Sequence, residues 1–151
     1  MKYTGPAGRD NPGNDMFWHR QEVFSLKGVL EALTTLVPQL REFQCIVVQL
    51  DDWKSLTLTR EPCPCIYVMS KFSPTEMDRL RNLSQELGLL TSEGSPSADG
   101  VKRFAFYSPS RELNLLDVCP HFLSLLFEDQ IKLTVCGVDA KVHKIGFVED
   151  L

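Results

Sequence analysis

The sequence predicts an α+β fold, a mostly antiparallel sheet of five to seven strands packed against two or three helices. Three observations lead there. β-Branched and apolar runs of strand length recur between turn residues, as in Phe43–Leu50 and Cys65–Met69. Two segments instead repeat their apolar residues at helical spacing, one after Ser25 and one after Ser73. The two kinds are interspersed along 151 residues, the length of one domain that can bury a core without disulfide or metal staples.

Residues 1–20 carry Gly5, Pro6, Gly8, Pro12 and Gly13 among Asn and Asp, and read as a flexible N-terminal arm. Its end holds Phe17 and Trp18, adjacent aromatics that dock on this domain or on a partner. Residues 21–151 read as a single α+β domain. Leu26, Val29, Leu30, Leu33, Val37 and Leu40 form one helical face with Ser25 as N-cap, and Pro38 ends or kinks the helix near Leu36. Asp51-Asp52 predicts a turn into a half-exposed strand over Ser55–Thr59, and Pro62 and Pro64 bracket the turn before the third strand.

Ser73-Pro74-Thr75-Glu76 combines an N-cap serine, proline at N1 and glutamate at N3, the residues of a capping box. Met77, Leu80, Leu83 and Leu87 continue as an apolar stripe, and Gly88 stops the helix. Residues 91–100 read as a loop, and Val101–Tyr107 as a strand. Glu112–Val118 fits either a strand or a short helix, Pro120 is expected to open a helix through Phe127, and Ile131–Cys136 with Lys141–Val148 suggest a hairpin about Gly137.

A net charge of −4 disfavours a general attraction to nucleic acid or anionic membrane. No apolar run has the length of a membrane span and the N-terminus has no signal-like stretch, so an intracellular location, cytoplasmic or nuclear, is expected. The five cysteines, scattered and odd in number, read as reduced, packed thiols.

Phosphate-loop, dinucleotide, metalloprotease and nucleophile-elbow motifs are all missing from the chain. Cys119 and His121 are close in sequence, but a nucleophile pair is built by folding and needs a third orienting group. Cys63, Cys65, Cys119 and His121 lack the spacing of zinc knuckles. The expectation is therefore no catalytic residues, no cofactor and no metal.

Phe122, Leu123, Leu125, Leu126 and Phe127 surround a short helix and leave only Ser124 polar. A helix apolar all round is covered on all sides, either by its own core or by a second subunit or protein partner. With Phe17 and Trp18, these residues are the candidate partner interface, and a homodimer or other protein partner is expected.

Ile66-Tyr67-Val68, the helix from Thr75, and Lys102 with Phe104, Ala105 and Phe106 resemble the RNA recognition motif family. The resemblance implies a βαββαβ sheet on which Tyr67, Phe104 and Phe106 stack single-stranded RNA bases and Lys102 contacts a phosphate. The same strand and capped helix, preceded by Asp52-Trp53, also resembles the end of a lipocalin barrel. The overall element order, α-β-β-β-α-β-β-α-β-β, resembles that of small acidic dimeric secretion chaperones.

Overall fold

The computed structural model describes residues 17–51, 53–60, 63–127 and 132–139. Among them the chain forms β1 (Phe17–Val23), α1 (Leu26–Leu36), a 3-10 turn (Val37–Gln39), β2 (Gln44–Asp51), β3 (Lys54–Thr59), β4 (Cys65–Ser70), α2 (Pro74–Glu86), β5 (Leu90–Glu93), β6 (Lys102–Tyr107), α3 (Leu115–Phe127) and β7 (Leu133–Asp139). The seven strands make one sheet in the order β1-β7-β2-β3-β4-β6-β5. Every pairing is antiparallel. This is the α+β class expected, and none of the described helices is long and apolar enough to cross a membrane.

Local chemistry accounts for the helices. The Ser25 hydroxyl accepts from the Gly28 amide, and α1 passes at Val37 into a 3-10 turn carrying Pro38. At α2 the capping box is complete: Ser73 Oγ accepts from the Glu76 amide at 3.1 Å while the Glu76 carboxylate accepts from the Ser73 amide at 2.8 Å. Two amides that the helix cannot satisfy internally are thereby paired.

α3 departs from expectation. It starts at Leu115, not at Pro120, because Asn114 Oδ1 accepts from the Leu116 and Asp117 amides and caps the end. Pro120 therefore sits inside the helix, where it removes one amide donor.

Three other expectations are corrected. Phe17–Arg20 belong to β1, not to an arm, since β1 finds a backbone partner in β7; residues 1–16 lie outside the described residues. Thr91–Glu93, read as part of the 91–100 loop, form β5 with Leu90 and pair with β6. Gly137 is no turn: β7 runs straight through it, between β1 and β2. The expected second arm of that hairpin, Lys141–Val148, lies outside the described residues.

One face of the sheet meets the three described helices. Ile46, Val48, Leu56, Leu58, Ile66, Val68, Phe104, Phe106, Leu133 and Val135 pack there against Val29, Leu33 and Leu36 of α1, Leu80 of α2 and Leu115, Cys119, Phe122 and Phe127 of α3. Burying side chains of this size contributes about 1.5–3 kcal/mol each before conformational entropy is subtracted.

Candidate functional site

The register decides what the aromatic strands present. Tyr67 pairs with Ala105, while Val68 and Ile66 pair with Phe104 and Phe106. Partners in an antiparallel pair share a face, so Phe104 and Phe106 lie under the helices and Tyr67 lies on the opposite side. Phe104 and Phe106 stack at 6.0 Å, Phe122 meets Phe106 at 4.7 Å, and Phe72 packs edge-on against Phe104. The three sheet aromatics thus do not form one platform, and Phe104 and Phe106 are core. Lys102 donates to Glu93 at 2.9 Å and lies over the Phe104 ring.

The candidate interface helix is corrected in the same way. Phe122, Leu123, Leu126 and Phe127 are buried against this chain's own sheet and are closed to a partner. Leu125 alone stays half-buried among the five. The solvent stripe of α3 is Asp117, His121 and Ser124, at i, i+4 and i+7. In β1, Trp18 packs against the main core and Phe17 against the cluster of Cys45, Cys136 and Val138 on the other face.

The thiols are placed for packing. Burial pushes Cys45, Cys65 and Cys119 up to about 12, far from the thiolate form. Cys119 faces the core and His121 is exposed, so the pair does not converge. No group of three or more His, Cys, Asp or Glu placed to hold a metal occurs among the described residues.

The sheet has a second face, toward which none of the described helices packs. Following the pairings, one row across it reads Phe17, Val138, Cys45, Thr59, Cys65, Tyr107, Leu90. Its central residues Cys45, Thr57, Thr59 and Tyr67 are buried.

The two edges of the sheet formed by the described strands differ. β1 is guarded: a bulge interrupts its register between Phe17 and His19, and Arg20 and Glu22 are exposed along it. β5 has no bulge and a single charge. Its first three residues, Leu90, Thr91 and Ser92, are uncharged, and Leu90 is 45% exposed. Its one charge, Glu93, is drawn back by Arg81 at 2.7 Å and by Lys102.

A groove of about 480 Å³ runs over α3 on the outside of the helix layer. Pro120 and Ser124 lie along it with His121 and Leu125, and Leu26 of α1 and Leu83 of α2 complete its apolar lining beside Arg79. Leu26, Leu83 and Leu125 are half-buried, packed inward against the core and partly exposed among the described residues. The sequence reading took Leu83 as part of the α2 stripe and Leu125 as interface. Arg79 and His121 were missed, because only the packing of two helices side by side brings them together.

Comparison with protein families, with curated proteins and with solved structures finds no match.

Proposed function

We propose that this chain is a non-catalytic protein-interaction domain of the dimeric adaptor or chaperone-like kind. The observation that carries the reading is the edge at β5, where an exposed leucine and uncharged neighbours border a flank that no other described strand pairs with. Such an edge is a ready template for another strand. A second copy meeting it across a two-fold axis would pair β5 with β5 antiparallel and extend the sheet.

Two further features support the reading. The order from α1 to β7, α-β-β-β-α-β-β-α-β, follows the first nine elements of the order that resembles secretion chaperones, and the tenth, Lys141–Val148, lies outside the described residues. The chain's buried, reduced thiols suit an intracellular setting and leave its cysteines no ready chemistry.

Size-exclusion chromatography with light scattering tests the proposal. Twice the chain mass is expected at micromolar concentration, and Leu90→Lys with Ser92→Lys, which place charge on the edge, should return it to the single-chain mass. A wild-type monomer at every concentration, or a dimer indifferent to both substitutions, would overturn it.

A further inference from the structure

Three of the chain's nine prolines follow a serine, at Ser73-Pro74, Ser95-Pro96 and Ser108-Pro109, and the fold treats the three serines differently. We infer that Ser95 is a phosphorylation site for a proline-directed protein kinase, and that its phosphate closes the β5 edge to a second copy. The second half rests on the dimer reading above.

Two of the three hydroxyls are already in use. Ser73 Oγ accepts from the Glu76 amide at 3.1 Å, so reaching a kinase would break the capping box of α2. Ser108 is half-buried, and its hydroxyl bonds the Ser110 hydroxyl at 2.9 Å and accepts from the Ser110 amide at 3.3 Å. The Arg111 amide closes that turn on the Ser108 carbonyl. A basic residue three places on, Arg111, would recommend Ser108 by sequence alone, but the fold withholds its hydroxyl.

Ser95 is exposed, and its hydroxyl makes no hydrogen bond among the described residues. Residues 94–97 belong to no helix or strand and all are exposed. The segment is anchored on both sides, by the Gly94 amide on the Arg103 carbonyl at 2.9 Å and the Ser97 amide on the Val101 carbonyl at 2.8 Å. Between these bonds Pro96 favours extended backbone at Ser95 and has no amide of its own to satisfy. A cleft that takes an extended chain can therefore receive this pair without unfolding its neighbours.

In the transfer, Ser95 Oγ attacks the γ-phosphorus of kinase-bound ATP. The new oxygen–phosphorus bond forms as the bond to the β–γ bridging oxygen breaks; ADP leaves, and the hydroxyl proton passes to the kinase's catalytic aspartate. The product carries about −1.5 to −2 charges at pH 7. It stands two residues past Glu93, on backbone that continues the β5 edge through the Gly94–Arg103 bond. Arg81 and Lys102, the cations that meet the end of β5, are already held by Glu93 at 2.7 and 2.9 Å. The phosphate thus adds net negative charge to an edge that has a single charge, and a charged edge resists pairing.

The test uses the full chain with magnesium, ATP and, in separate reactions, a mitogen-activated and a cyclin-dependent protein kinase. Intact mass and fragmentation should show one phosphate, on Ser95. Ser95→Ala and Pro96→Ala should each lose it; both positions are exposed, so neither substitution disturbs the core. Light scattering should then show the phosphorylated chain at the single-chain mass, and the Ser95→Ala chain, treated alike, at twice that mass.

No phosphate from either kinase, phosphate on Ser73 or Ser108 of the folded chain, or a Ser95→Ala chain labelled as well as wild type would overturn the site. A chain phosphorylated on Ser95 that stays dimeric defeats the edge role alone. An untreated chain that is already monomeric defeats the dimer reading and the edge role with it, while the mass result still decides the site.

Discussion

The Trp18 indole occupies the space that a side chain at position 137 would need. A Cβ built on Gly137 would press on the indole carbons Cε2, Cδ2 and Cζ2, closer than non-bonded carbons approach. Trp18 sits at the β1 bulge, where the register slips by one residue and turns the indole onto β7. Gly137→Ala should therefore cost about 1–3 kcal/mol through overpacking. In urea unfolding, the same substitution made in Trp18→Ala should cost much less, because the obstructing ring is gone. Additive effects would separate the two residues energetically.

The stacked aromatics Phe104, Phe106 and Phe122 join the sheet to α3. Phe122→Ala is expected to destabilise the fold by about 3–5 kcal/mol, measured by chemical denaturation, since it opens a cavity at a fully buried position. Leu125→Ala, on the half-buried side of the same helix, should cost clearly less. Similar losses at both would contradict the inward and outward division of α3.

All five cysteines are buried. Burial holds Cys45, Cys65 and Cys119 near 12, so at pH 8 almost none of their thiolate forms while the chain is folded. A thiol-specific disulfide reagent should label the native protein slowly and all five thiols at once in guanidinium. Rapid native labelling of Cys119 would contradict the packing of α3 on the sheet.

Hydrogen bonds from Arg81 and then Lys102 hold the Glu93 carboxylate down to about 2, below its ordinary 4.5. The folded chain thus binds the proton less readily than the unfolded chain, and the pair's stabilisation is fully present above about pH 4.5. It is lost as the pH falls toward 2. The effect is small, because the pair is exposed and solvent screens it. Thermal melts should show wild type above Glu93→Gln at pH 6, with the gap closing across that acid window. A gap that persists at pH 2 would point to packing instead of charge.

What the sequence made legible follows from how local each signal is. α2 was readable because Ser73, Pro74 and Glu76 act within one turn of backbone. β1 was not, because Phe17–Val23 owes its strand form to β7, far along the chain. Gly137 imitates a turn, and only Trp18 explains a glycine inside a strand. Pro120 imitates a helix start, and Asn114, six residues earlier, is the actual cap. The faces of Tyr67 and Phe104 depend on the β4–β6 register, where a shift of one residue exchanges inside for outside. The groove was least legible, since its residues belong to three helices whose packing no single segment encodes.

The position of β7 has a consequence for how the molecule is made. It is the last of the described strands in the chain but sits second in the sheet, with β1 on one side and β2 on the other. On a ribosome working from the N-terminus, β2 to β6 can join as hairpins and helices emerge, while β1 has nothing to hold and β2 shows a bare flank. Only when Leu133–Asp139 leaves the exit tunnel can that gap be closed, by the longest-range contacts of the fold and its slowest step. Pulsed hydrogen exchange during refolding would see it as amides of β1 and β7 gaining protection together, after those of β3, β4 and β6.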